Sequence, residues 1–301
     1  MNEVPQVRKV TEMNNKPLSG KYLKQDVLLA VNNLPPMPQV MHKARDIIQN
    51  PGSSLKDLGD LIETDQALAM KVLRLANSAY YGRMGKVSSV QEAAVVLGLR
   101  ILSELITVAF MSKVLGSSLK GYGLPAESLW RHSLAVAVGS RIIADKKYAA
   151  LSNEAFSAGL VHDVGKLILD RYIYERKKEF LKFFADGGQA FLIAEKEILG
   201  FDHAEIASEI CKRWNFPRSI SVAVKYHHHP SRLRGNRLAY IVHVADEIAV
   251  LSGLDIEGTT HEIDDKSIQM LAIQRNEIEL IIDEVVKSVN QITGVTEEED
   301  T

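Results

Sequence analysis

The sequence predicts an all-α protein, and three observations carry the prediction. Apolar residues recur at three- and four-residue spacing through most of the chain. Helix-start residues such as Asp65, Ser89 and Asp202 stand directly in front of these stretches. No run of alternating apolar and polar residues is bounded by turn signals as a strand requires. With 301 residues, 46% of them hydrophobic and 25% charged, the chain is long enough to bury a full core.

The elements follow in order. Residues 1–24 are polar and aperiodic and are expected to form an arm. Six of the nine prolines (Pro5, Pro17, Pro35, Pro36, Pro38 and Pro51) fall in the first 51 residues. Residues 25–120 are expected to form an N-terminal helical lobe. Ser54 with Asp57 opens a helix whose face is Leu55, Leu58 and Ile62. Asp65 caps the next, with Leu68, Val72 and Leu75 in register, and Ser89 with Glu92 forms a capping box for a helix through Leu97, Leu105 and Val108. The most apolar stretch, Ala93–Met111, contains Arg100 and Glu104, which suits a core helix and not a membrane span. Met37, Met41 and Met70 read as core filler.

Residues 121–253 are expected to form a second helical core. Its helices are read over Ser128–Ala144, from an Asn153 cap through His162 toward Leu169, over Tyr174–Phe184, from the Asp202 cap to Trp214, from Pro217 to Tyr226, and over Arg237–Leu251. Residues 254–301 form a helical extension with the stripe Ile278, Ile281, Ile282, Val285 and Val289, followed by the acidic tail Glu297–Asp300. That stripe suits packing on its own domain, with homodimer formation the alternative.

Charge and cysteine content narrow the function classes. Thirty-six Lys and Arg against 38 Asp and Glu give a net charge of −2, and no helix-turn-helix signature is present, so nucleic acid is not an expected partner. The single Cys211 forms neither an internal disulfide nor a cysteine-rich zinc site. With no apolar run at the N-terminus, a cytoplasmic protein is expected, without membrane association.

Histidine is the informative residue. Seven of the nine lie between positions 132 and 243. The centrepiece is Gly159-Leu-Val-His162-Asp163-Val-Gly165-Lys166. Asp163 has two oxygens and is able to bridge two metal ions, whereas His162 serves one. Lys166, three residues on, shares the face of Asp163 and suits a phosphate oxygen. Gly165 suggests room for close approach of a ligand. His132, His203, the run His227-His228-His229 and Asp246 supply further nitrogen and oxygen donors from separate helices, a set that suits iron, manganese, zinc or nickel. His229, before Pro230, is the expected non-ligand of its run, and His243 is a reserve ligand or a partner that orients one.

In order along the chain, His132, His162-Asp163 and Asp246 resemble the HD superfamily of metal-dependent phosphohydrolases. The Asp163-Val-Gly-Lys166 continuation with His203 and His227-His228 is similar to the longer HD-GYP set. Ahead of them, Leu34-Pro-Pro-Met-Pro38, Ile62-Glu-Thr-Asp65-Gln-Ala-Leu68, Val72-Leu-Arg-Leu-Ala-Asn77-Ser-Ala-Tyr-Tyr81 and Ala93-Ala-Val-Val-Leu-Gly98-Leu-Arg100 resemble the HDOD family of bacterial signalling output domains, over about residues 27–250.

The resemblance implies an N-terminal helical bundle packed on an HD-like core. It also implies a regulatory role exercised on a signalling protein partner or a phosphate-containing small ligand, and one or two divalent metal ions. By resemblance, His132, His162, Asp163 and Asp246 hold one ion, and Asp163, His203, His227 and His228 hold the second. The expected function is a signalling module that acts by binding. The alternative is an active phosphohydrolase in which Asp163 orients the nucleophile and Lys166 holds phosphate. The chain departs from the HD-GYP pattern after its histidines, reading His229-Pro-Ser-Arg232-Leu-Arg234-Gly-Asn-Arg237 in place of a Gly-Tyr-Pro segment, so hydrolysis of cyclic di-GMP is not expected.

Overall fold

The computed structural model describes residues 20–34, 43, 47, 55–82, 85–187, 190–233, 235–254 and 265–294. Among these residues the regular structure is helical, with one isolated bridge between Leu119 and Leu124. No described helix is long and apolar enough to cross a membrane. The arm, most of the first proline-rich motif, Met37, Met41, Arg234 and the acidic tail lie outside the described residues.

Helix α1 (Gly20–Asn33) buries Leu23, Val27 and Val31, each four residues apart, and Tyr172 donates a 2.7 Å hydrogen bond to Asp26 on its flank. Helices α2 (Leu55–Glu63), α3 (Gln66–Ala76) and α4 (Val90–Leu115) pack on one another. Asp65 caps α3 by accepting from the Leu68 amide at 3.1 Å. Ser89 accepts from the Glu92 amide, and Glu92 reaches back chiefly to the amide and hydroxyl of Ser88. The apolar stretch does not run straight: at Gly98 the backbone turns to φ +78° and ψ 165°, a conformation that a side chain would strain, and α4 kinks there. Met70, read as core filler, is 69% exposed, because α3 presents its opposite face to α4.

Helix α5 (Ser128–Lys147) is the axis of the second half, buried on almost every side from Leu129 to Ala144. Helices α4, α6 (Ser152–Val161), α12 (Arg237–Leu251) and α14 (Arg275–Thr293) all lie against it. Arg141 of α5 pairs with the buried Glu104 of α4, which also accepts from the Tyr81 hydroxyl, so the charge inside the apolar stretch joins the two halves.

Two expected helices are divided. The stretch toward Leu169 breaks at residues 162–165, giving α6 and then α7 (Lys166–Glu175). The next divides at Arg176, before α8 (Lys177–Ala185). Asn153 does not cap α6; its side chain accepts from Arg100 instead. A short α9 (Phe191–Ala194) continues into a π-helical turn, Glu195–Leu199, that ends at Gly200. Helices α10 (His203–Arg213) and α11 (Arg218–Tyr226) then lead to α12. The C-terminal stripe is covered within the chain: Ile281, Val285 and Val289 of α14 are buried as it packs on α5 and α12, after α13 (Asp265–Leu271).

Candidate metal centre

Five elements deliver the donors. His132 comes from the first half of α5, His162 and Asp163 from the turn after α6, His203 from the first turn of α10, His227 and His228 from the end of α11, and Asp246 from the middle of α12. Glycines permit the approach. A β-carbon on Gly159 would stand 2.7 Å from the Val136 carbonyl of α5, and one on Gly165 would stand 2.0 Å from the His203 carbonyl. Gly165 therefore makes room for helix α10, correcting the expectation that it admits a ligand.

All seven expected donors converge. Three groups have donor atoms within 4.8 Å of one another: Asp163 with His203, His227 and His228; Asp163 with His132 and His162; and Asp246 with His162 and His227. Asp163 is the hinge of the arrangement. Its Oδ2 lies 3.4 Å from His162 Nε2 and 3.8 Å from His132 Nε2, while its Oδ1 lies 3.2 Å from His203 Nε2. Asp246 Oδ1 is 3.1 Å from His132 Nε2 and 3.7 Å from His162 Nε2. His227 belongs to two of the groups, so it sits between the two halves instead of wholly in one.

Backbone carbonyls set the tautomers. Nδ1 of His132, His162 and His227 lies 2.9, 2.8 and 2.6 Å from the carbonyls of Leu254, Gly159 and Val224. A carbonyl only accepts, so each Nδ1 carries a proton and leaves Nε2 as the atom that faces the cluster. Nε2 of His162 and Nε2 of His227 are buried without a hydrogen-bond partner, while Nε2 of His132 meets the Asp246 carboxylate at 3.1 Å. Orphaned acceptors facing one another would be costly in a dry interior, and a divalent cation satisfies them. Metal–nitrogen and metal–oxygen bonds of about 2.0–2.2 Å place ligands on one ion up to about 4.3 Å apart, so the observed spacing closes on a metal with small side-chain shifts. The donor set fits the metal that the resemblance implies.

Electrostatics agree. Burial, aided by charge on His162, pushes His227 down to about 3, and burial with His227 and His203 holds His228 well below the ordinary imidazole value. Both are neutral ligands near pH 7. Burial opposes ionisation of Asp163 and Asp246. It is outweighed by His162, Lys166 and His203 around the first, and by the His132 hydrogen bond and the charge of His162 around the second, so both stay well below the usual carboxylate range. Burial also lowers His132, but the hydrogen bond and charge of Asp246 outweigh it and raise the group overall.

His203 is raised furthest. Burial works against its charge, and Glu195 overcomes it. Its Nε2 lies 2.8 Å from His228 Nε2, a distance that requires one proton between the two nitrogens. The proton on His203 thus stands where a cation would take both lone pairs.

Sequence reasoning missed Glu195. This fully buried carboxylate accepts from the Tyr122 hydroxyl at 2.6 Å and the His203 amide at 2.7 Å, and holds His203 Nδ1 at 2.8 Å. Carboxylates of this kind orient a metal-binding imidazole. Its approach depends on the π-helical turn, which leaves no periodic signal in sequence.

The remaining expected residues fall as follows. Asp202 caps α10 through the Glu205 amide while His203 turns to the cluster, so both roles assigned to that helix start hold together. Lys166 is 2% exposed with Nζ 2.9 Å from Asp163 Oδ2. His229 is exposed, and His243 belongs to none of the three groups. Arg237 stacks on the Tyr148 ring at 5.0 Å. Cys211 is buried and its thiol is pushed up to about 12 by that burial, which makes it inert.

Comparison with known proteins agrees with this architecture. An HDOD domain protein from Geobacter sulfurreducens superposes with a TM-score of 0.74 at 25% identity, over 90% of this chain and 97% of that one. A presumed phosphohydrolase from Shewanella amazonensis shares the fold, with a TM-score of 0.69 at 23% identity, over 90% and 98% of the two chains. An uncharacterised protein of Treponema pallidum is 25% identical over 207 residues, which are 66% of this chain and 38% of that protein's length. The HDOD domain profile matches residues 34–230, a span that takes in the N-terminal motifs and every donor except Asp246, and on that match the chain belongs to the HDOD domain family.

Proposed function

We propose that the chain is a regulatory HDOD module built on a binuclear divalent metal centre, and that it acts by binding a signalling protein or a phosphate-bearing ligand. The observation that carries this reading is the pair of Asp163 oxygens, one facing His132 and His162 and the other facing His203. His132, His162, Asp163 and Asp246 would hold one ion, and Asp163, His203, His227 and His228 the other. Burial supports binding over turnover. His132, His162, Asp163, His203 and His227 are each at most 2% exposed, leaving His228 and Asp246 as the approaches from solvent.

One observation favours the second reading, a metal-dependent phosphohydrolase: the donor set is complete and a buried ammonium, Lys166, lies beside it. A divalent ion bound there supplies Lewis acidity toward phosphoryl oxygens and makes water acidic enough to serve as a nucleophile near neutral pH. In that reading Asp163 orients the attack, and Lys166 leaves its ion pair to hold the phosphate. A screen of phosphomonoesters and cyclic dinucleotides with added Mn, Fe, Zn or Ni, run beside Asp163→Ala, separates the readings. A metal-replete and inert protein supports the binding module; turnover that Asp163→Ala abolishes replaces it with the enzyme.

A further inference from the structure

A second concave feature lies apart from the metal centre. A cavity of about 1380 Å³ opens between α3 with the turn that follows it, the first turn of α5 and the C-terminal end of α14. The Arg74-to-Ala79 part of the motif Val72-Leu-Arg-Leu-Ala-Asn77-Ser-Ala-Tyr-Tyr81, which the metal centre leaves unused, contributes to its wall. No donor of the metal centre lines it. Yet Arg131, which does, immediately precedes His132, so α5 turns from one site to the other within a single residue.

The cavity is electropositive in a chain that is close to neutral. Lys71, Arg74, Lys86, Arg131 and Lys287 line it against one carboxylate, Glu127, which leaves an excess of four positive charges (five less one). Lys71 and Arg74 share a helix face one turn apart. The Lys71 ammonium is held below its ordinary value by burial and then by the charge of Arg74, with Glu127 opposing. Arg74, in the last turn of α3, has a local purpose there, because a cation suits a helix C-terminus. Arg131 has the reverse placement. It stands in the first turn of α5, where the helix dipole repels a cation, and that turn holds no acidic residue and has no side-chain cap. Arg131 Nε and Ser78 Oγ are moreover buried at this wall without a hydrogen-bond partner.

We propose that this cavity is a binding site for a small molecule carrying two or more phosphate groups, of the size of a nucleoside di- or triphosphate. A phosphate monoester brings about −2 at most and leaves half of the excess charge unanswered; a di- or triphosphate matches it. The volume exceeds the roughly 300–1,000 Å³ of ordinary small-ligand pockets, which leaves room for a nucleoside. Arg74 and Lys287, exposed at the rim, attract the anion. The site gives the binding reading a ligand entrance apart from the metals, and it stands whether or not the metal centre is filled.

Calorimetric titration of the full chain, in buffer containing a chelator, tests the assignment with inorganic triphosphate, ATP and inorganic phosphate as probes. Triphosphate and ATP are expected to bind at least tenfold more tightly than phosphate, with affinity falling as salt is raised. Arg74→Ala and Lys287→Ala, both at exposed helix positions, are each expected to weaken binding about tenfold, with helix content unchanged by circular dichroism. Asp163→Asn is expected to bind triphosphate as the parent does, which keeps failure of this site distinct from failure of the metal centre. The proposal is overturned by absence of triphosphate binding, by equal binding of phosphate, by insensitivity to both cation substitutions, or by loss of binding in Asp163→Asn alone. A single-stranded oligonucleotide that outcompetes triphosphate at these residues overturns it as well.

Discussion

The carbonyl oxygen of His203 occupies the space that a β-carbon on Gly165 would need, 2.0 Å away. Helix α10 is thereby seated directly on the turn that carries His162 and Asp163, and His203 Nε2 comes to 3.2 Å from Asp163 Oδ1. The glycine of the central motif thus acts on the metal centre through helix packing.

Gly165→Ala forces α10 off that turn. Overpacking of this kind costs about 1–3 kcal/mol, so the melting temperature should fall. Metal uptake should drop toward one equivalent, because His203 withdraws from Asp163 while His132, His162 and Asp246 stay in place. Thermal unfolding and metal titration read the two effects separately; a variant with the parent's stability and metal capacity contradicts the packing account.

Glu195 supports His203 from behind. In Glu195→Ala the Tyr122 hydroxyl, the His203 amide and His203 Nδ1 all lose their buried acceptor. Loss of an orienting partner typically weakens metal binding about 10–100-fold. Glu195→Gln keeps the shape and an acceptor oxygen and should fall between parent and alanine variant. Competition with a chromophoric chelator measures all three, and an alanine variant that binds metal as tightly as the parent removes Glu195 from the centre.

Metal binding should release protons. His203 and His132 are raised in the metal-free protein, so near neutral pH they hold protons that a metal must displace. Affinity therefore rises with pH through the neutral range. Calorimetry in buffers of different ionisation enthalpy counts the protons; an uptake independent of buffer would contradict it.

The metal-free protein should be most stable near pH 6.5. Below that value an unfolded histidine takes a proton that folded His227, at about 3, refuses, and His228 behaves in the same direction. Each such group removes about 1.4 kcal/mol per pH unit as the solution is acidified. Above 6.5 the stability contributed by His203 and His132, whose folded values are raised, is lost as pH climbs through those values. Asp163 and Asp246 matter only below about pH 4, where the unfolded carboxylates protonate first. Urea unfolding of chelator-treated protein across pH 5–9 tests the maximum, and monotonic behaviour would count against these assignments.

Much of this was legible in the chain. Caps at Asp65 and Asp202 and the Arg237–Leu251 helix follow from local chemistry that tertiary packing leaves intact. The donors were legible because metal ligation demands particular residue types in a particular order. The kink at Gly98 and the break at residues 162–165 were not, since apolar spacing continues across both and the close contact of Gly165 with His203 of α10 is not local in sequence. Glu195 was hidden for the same reason: nothing in a lone glutamate announces that a π-helical turn delivers it beneath a histidine. The cations of the cavity come from α3, a loop, α5 and α14, and they become a cluster only once the chain is folded.

Elemental analysis of the purified protein, alongside Asp163→Ala prepared in the same way, tests the central claim most directly. The account predicts about two equivalents of divalent metal in the parent and, because Asp163 serves both halves of the cluster, loss of most of both in the variant. A parent protein that neither retains divalent metal nor takes it up when supplied, with its helical fold intact, would contradict it.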